Sequence, residues 1–167
     1  MRSFLRQLAV AAVLPFTTTA AAGADSVAPD HLLQFNAGRI GIDRSLDEPQ
    51  HYGAEFRFRP RSRWKLVPAI GAGFANNGAK FVYVDLKKDF LLGQRWYLTP
   101  SFGVGAFDAS RVLDLGHTLE FRSGLEAGYR FANHYRVGIA IYHLSNGGLA
   151  DENPGTEVLA VSLSVPL

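Results

Sequence analysis

Apolar and polar residues alternate with period two along most of the chain, and almost no segment carries a helical repeat. The clearest case is 119–131. Leu119, Phe121, Leu125, Ala127, Tyr129 and Phe131 share one face there with a single polar member, Ser123, while Glu120, Arg122, Gly124, Glu126, Gly128 and Arg130 share the other. Segments 52–58, 64–74, 96–104, 135–141 and 159–167 alternate in the same way, and two less regular stretches, 32–42 and 80–89, bring the expected strands to eight. Clusters of Gly, Asn, Asp and Pro separate them, as tight connections require.

Eight strands of about 9–11 residues predict an all-β fold, an eight-stranded antiparallel transmembrane β-barrel of the bacterial outer membrane. The apolar face would meet lipid. The other face mixes small Gly, Ala and Ser with Glu and Arg, which suits a narrow lumen where opposite charges pair. Trp64, Trp96, Tyr129, Phe131 and Tyr135 stand near segment ends, as an interfacial girdle would. Closing the sheet removes the unpaired edges that hydrocarbon cannot satisfy. Periodicity alone also fits a soluble barrel of the lipocalin type with its apolar face inward. The length of the strands and the alternation running to Leu167 favour the membrane.

The N-terminus supports export. Arg2 and Arg6 precede an apolar run over 8–16, and Ala22-Gly23-Ala24 offers a small-x-small cleavage site, so 1–24 reads as a cleaved signal peptide and 25–167 as the barrel. Removing Arg2 and Arg6 from the 17 basic residues leaves 15, equal to the 15 acidic ones, so nucleic acid is not an expected partner. The absence of Cys excludes disulfides, thiolate metal sites and cysteine nucleophiles. His31, His51, His117, His134 and His143 show no ligand spacing, and neither a metal nor another cofactor is expected.

With an even number of strands and both ends of the strand series periplasmic, connections 43–50, 74–79, 107–117 and 146–156 fall outside the cell, and 59–63, 90–95 and 132–134 fall in the periplasm. One feature then breaks the pattern. The lipid-face series Val137, Ile139, Ile141 continues in register into His143 and Ser145, and the final strand reads back from Leu167 to Glu157 on the same face. A polar group facing lipid is costly, by about 2–4 kcal/mol for a basic one at the midplane and less near the interface. His143 and Ser145, two apart on a strand, point the same way with Cα atoms about 7 Å apart. That arrangement lets an imidazole take a hydroxyl proton while Glu157 holds the other ring nitrogen. Asn146, Gly147, Gly148 and Asn153 crowd the same loop, where a tetrahedral oxyanion would need donors. The same residues also suit an ordinary strand end and turn.

The stretch His143-Leu144-Ser145-Asn146-Gly147-Gly148-Leu149, followed by Asn153-Pro154-Gly155 and Glu157, resembles the C-terminal signature of the lipid A 3-O-deacylase family, the PagL-type outer-membrane esterases. The resemblance extends to 102–107, to 119–131 and to Val165-Pro166-Leu167, and reaches the N-terminal half by pattern only. It implies hydrolysis of the ester-linked 3-hydroxyacyl chain at position 3 of lipid A, the membrane anchor of lipopolysaccharide, in the outer leaflet. Ser145 would be the nucleophile, His143 the general base and Glu157 the orienting acid. Asn153 would help hold the oxyanion, with Asn146 and Gly148 beside it. Leu144 replaces an aromatic found in some relatives and Glu152 directly precedes Asn153; neither touches the triad.

Acyl chains would lie along Ile139, Ile141 and Leu159, and the remaining partner is bulk outer-membrane lipid, with a homodimer compatible. Arg44, Lys80 and Arg111 stand on the outer side, as near to ordinary loop charges as to phosphate ligands. The competing readings are a non-enzymatic barrel for adhesion or membrane integrity and a palmitoyl-type acyltransferase with a lumenal pocket.

Overall fold

The computed structural model describes residues 31–43, 45–46 and 49–167. The signal peptide expected at 1–24 and Arg44 lie outside the described residues. Among those residues the strands are β1 (Leu32–Ile40), β2 (Gln50–Arg57), β3 (Leu66–Ala75), β4 (Lys80–Lys88), β5 (Phe90–Leu92), β6 (Trp96–Asp108), β7 (Leu119–Arg130), β8 (Arg136–Ser145) and β9 (Thr156–Pro166). All pairings are antiparallel. The first strand pairs with the last from Leu32↔Pro166 to Ile40↔Val158, and β4 pairs directly with β6. Eight strands therefore close a barrel, and β5 is a three-residue ribbon on the edge of β6. Leu32 and Pro166 mark its base; the opposite end is called the crown.

The expected strands differ from the observed ones at the base. Alternation begins at Trp64, but β3 starts at Leu66, because Ser62 (φ 66°) and Lys65 (φ 52°) take left-handed conformations in a turn bridged by Arg61 and Leu66. The connection expected at 90–95 contains the β5 ribbon.

Inside and outside follow the alternation. Phe35, Ile70, Val82, Ile139 and Val161 lie on the outer wall, with Val161 62% exposed. Glu55, Arg57, Asp85, Lys87, Arg122 and Glu126 line the lumen, each at most 4% exposed. That distribution is the reverse of a soluble lipocalin and suits a barrel solvated by lipid. At the base, Trp96, Tyr129 and Phe131 form edge-to-face contacts on the outer wall.

The lumen is filled in two layers. Toward the base, Arg57 bridges Glu55 (2.7 Å) and Glu126 (2.5 Å), and Lys87 bridges Glu55 (3.0 Å) and Asp85 (3.2 Å). Arg122 pairs with Asp85 and lies between the rings of Tyr83 and Tyr142, 4.0 and 3.6 Å from their centroids. Glu126 also accepts hydrogen bonds from Gln34, Tyr97 and Ser162. Three cations and three carboxylates thus neutralise one another, which is what makes burial of so many charges tolerable. Glycines give the tyrosines room: a Cβ on Gly71 or Gly124 would meet the ring of Tyr83 or Tyr142 at 2.4 and 2.3 Å. Toward the crown the filling turns apolar, with Ile40, Phe81, Phe107, Leu144 and Val158 capped by Leu113 and Leu115 from the β6–β7 connection.

Replacing Glu126 by Ala leaves the Arg57 guanidinium short of its closest counter-charge in a closed lumen. The expected loss is about 3–5 kcal/mol, read as a lower urea midpoint for the barrel refolded in detergent micelles.

Candidate active site

The outward row at the crown of β7, β8 and β9 is where the apolar alternation breaks. His143 is paired in register with Glu157 on one side and with Ser123 on the other, and Ser145 is paired with Phe121. Because β8 is extended, His143 and Ser145 point the same way, and all four polar side chains share the outer face. His143 Nδ1 lies 3.1 Å from Glu157 Oε1, with the side chains 48% and 30% exposed. A carboxylate can only accept, so this contact puts the ring proton on Nδ1 and leaves the Nε2 lone pair free for a proton from elsewhere.

The β8–β9 connection, 146–155, is held from within. Asn146 is fully buried. Its Nδ2 donates to the carbonyl oxygens of Leu115 (2.9 Å) and Glu152 (2.8 Å), and its Oδ1 accepts from the Gly148 N–H at 2.9 Å. Its own N–H donates to Asn153 Oδ1 at 3.0 Å. Asn146 and Gly148, expected near an oxyanion, therefore spend these groups on loop support. The Asn153 contact uses the carbonyl oxygen of that amide. Gly155 takes the left-handed region (φ 58°), and a Cβ there would sit 3.0 Å from His143 Cε1. Its backbone thus packs against the imidazole.

Below this row the wall is apolar. Ile141 and Leu159 pair directly beneath His143 and Glu157, and Ile139 and Val161 pair beneath them. The lower pair borders a depression of about 910 Å³ that also touches Ala127 and Leu163. The expected acyl-wall residues thus form one continuous strip leading away from Ser145. Of the outer basic residues, Lys80 is paired in register with Asp108, and Arg111 is exposed.

A family model described as Lipid A 3-O-deacylase (PagL) matches residues 50–166, most of the chain and all of β2 to β9. The chain belongs to the lipid A 3-O-deacylase (PagL) family. Among curated relatives, Lipid A deacylase PagL of Pseudomonas aeruginosa is 37% identical over 73 residues, 42% of each chain. The Bordetella bronchiseptica protein of the same name is 25% identical over 72 residues, 42% of this chain and 40% of its own. The matched region thus spans about two fifths of these relatives' length. The crystal structure of the outer membrane enzyme PagL aligns with a TM-score of 0.68 at 22% identity, covering 81% of this chain and 99% of that one. Neisserial surface protein A aligns at 0.54 and 12% identity over 83% and 97% of the two chains. At these identities the likeness is one of fold, the small outer-membrane barrel.

The PagL-family segment contains every site residue expected from the sequence. Two features of the site were not among them. Ser123 flanks His143 opposite Glu157, and its signal was present as the single polar residue on an otherwise apolar strand face. Gly155 stood in the signature segment without an assigned role, because its packing against His143 depends on the path of the loop.

Asn146→Ala removes the tie between the two crown connections. It is expected to cost about 1–3 kcal/mol through the unsatisfied groups it leaves and to speed proteolytic cutting within 146–155 while the barrel stays folded.

Proposed function

We propose that the protein is a lipid A 3-O-deacylase of the bacterial outer membrane, a serine esterase whose site opens to the outer leaflet. The observation that carries this reading is the His143–Glu157 contact, set beside Ser145 on a wall otherwise built for lipid. Glu157 orients the imidazole through Nδ1. Nε2 takes the proton from Ser145 Oγ as that oxygen attacks the carbonyl carbon of the 3-O-acyl ester. The tetrahedral intermediate places negative charge on the former carbonyl oxygen, for which the Asn153 Nδ2 amide is the donor within the loop. His143 returns the proton to the departing sugar oxygen. Water arriving at headgroup level then hydrolyses the acyl-serine and releases a 3-hydroxy fatty acid.

The substrate is already a component of the leaflet, so it reaches Ser145 by lateral diffusion with its chain along Ile141, Leu159 and Ile139. No lumenal pocket is required. The filled lumen also argues against an acyltransferase that would draw a chain into the barrel. A purely structural barrel would have no use for an imidazole–carboxylate pair facing lipid. In this orientation the crown faces outward, and the base, where β1 starts and β9 ends, faces the periplasm.

Expression in a lipopolysaccharide-producing host is expected to remove one 3-hydroxyacyl group from lipid A, seen by mass spectrometry. Ser145→Ala and His143→Ala are expected to lower the rate at least about 1000-fold with heat-modifiable gel mobility intact. An unaltered lipid A profile with the wild-type barrel, repeated with purified protein and detergent-dispersed lipopolysaccharide, would refute the reading.

Gly155→Ala forces a methyl group toward the His143 ring at a backbone conformation that disfavours it. A fall in kcat of about tenfold or more, with KM little changed, is expected from the displaced base.

A further inference from the structure

Charge on the outer wall is sparse, and nearly all of it is accounted for. Among the outward positions of the described strands, Glu157 holds His143, Lys80 stands opposite Asp108, and Lys88 donates to the Trp64 carbonyl oxygen. Arg39 differs in having no charged residue opposite it in the ladder. It is exposed on the outward face of β1, paired in the ladder with Leu159 of β9 and Gln50 of β2, and among the described residues its side chain makes no ion pair or hydrogen bond. It also precedes the segment matched by the family, so nothing in that match assigns it a role.

Its position is specific. Leu159 lies directly beneath Glu157 on β9, so Arg39 sits diagonally from Glu157, within the span that long side chains bridge across a sheet. Two strand spacings, about 10 Å, separate β1 from β8, and the guanidinium can lean over much of that distance. On its other side the rings of Tyr52 and Phe74, in tilted contact with centroids 5.5 Å apart, stand where an interfacial aromatic belt would. An unpaired guanidinium at that height is stable only with an anionic partner or water, and its planar fork matches a phosphate oxygen pair.

We propose, resting on the deacylase reading, that Arg39 binds a phosphate on the saccharide of the lipid substrate and so holds the sugar beside Ser145. The lipid is then recognised at three points: acyl chain along the wall, ester at Ser145, phosphate at Arg39. Arg39 selects phosphorylated glycolipid over neutral lipids that carry equally good esters.

The test compares full-length wild type, Arg39→Gln and Arg39→Lys in neutral detergent, on lipid A bearing its phosphates and on the same lipid dephosphorylated. The readout is released 3-hydroxy fatty acid. Wild type should prefer the phosphorylated lipid in kcat/KM. Arg39→Gln should reduce that preference by about tenfold or more, and Arg39→Lys should restore most of it. A loss that falls equally on both lipids would make Arg39 a support for Glu157 and overturn the proposal, as would an unchanged preference. Binding of each lipid to the Ser145→Ala protein, with and without Arg39→Gln, separates the two readings. If wild type cleaves neither lipid the deacylase reading fails, and weaker retention of only the phosphorylated lipid on losing Arg39 would still uphold its phosphate contact. If a bulk anionic phospholipid, added as phosphatidylglycerol, competes as well as phosphorylated lipid A, Arg39 is a general headgroup anchor and its selective role is overturned.

Discussion

A sheet surrounded by hydrocarbon can leave no edge unpaired, and the ladder between β1 and β9 meets that constraint. Every backbone donor and acceptor within the wall must find its partner across a strand boundary, so the first strand is bound to the last wherever they lie in the chain. The consequence reaches beyond stability. Closure sets β1 beside the hairpin of β8 and β9, and so places Arg39 one ladder step from Leu159 and diagonally from Glu157, residues more than a hundred positions away. The site is assembled by the same hydrogen bonds that seal the barrel.

Closing at eight strands leaves an interior that side chains fill completely. Charged residues there cannot turn to water, so their neutralisation must be internal. The interleaved Arg57, Lys87 and Arg122 with Glu55, Asp85 and Glu126 satisfy that requirement, while Gly71 and Gly124 surrender their volume to Tyr83 and Tyr142. The polar layer gives way to an apolar one under the crown, and Leu115 in that layer accepts the amide of Asn146. A filled lumen thereby becomes the foundation of the loop that follows Ser145. The outer wall can carry a site because the inside is filled and ion-paired.

Much of this was legible in the sequence because a strand's alternation is strict. Phe121 and Glu126 declare opposite faces by parity alone, and a break such as His143 within an apolar series stands out without any coordinates. Parity does not say which face is inside, and the observed burial of Glu126 and exposure of Ile139 resolve that question in favour of lipid outside. Alternation also overran its element at Trp64, where backbone handedness at Ser62 and Lys65 ended the strand. What the sequence withheld was pairing across closure and the path of loops. Arg39 sits in one of the least regular segments, and its nearness to the site exists only once β1 meets β9. The support role of Asn146 likewise depends on two connections meeting at the crown.

On the proposed reading, an outward site answers a constraint on the substrate as much as on the protein. A lipid held in a leaflet has two translational degrees of freedom, and drawing it into a lumen would mean stripping its chain of neighbours and its headgroup of counter-ions. Meeting it at the wall keeps the chain in hydrocarbon throughout, and only the ester needs to approach a polar group. The imidazole and carboxylate tolerate that location because each is the other's partner, and the low dielectric on the lipid side strengthens their contact. In the proposed reaction, water at headgroup level serves the second half. Height on the wall is then the variable that matters: lower, the pair would be buried in hydrocarbon without a water source; higher, the ester would no longer reach it. The last residues of β8, where apolar alternation gives way to His143 and Ser145, sit at the level that satisfies both in the proposed reaction.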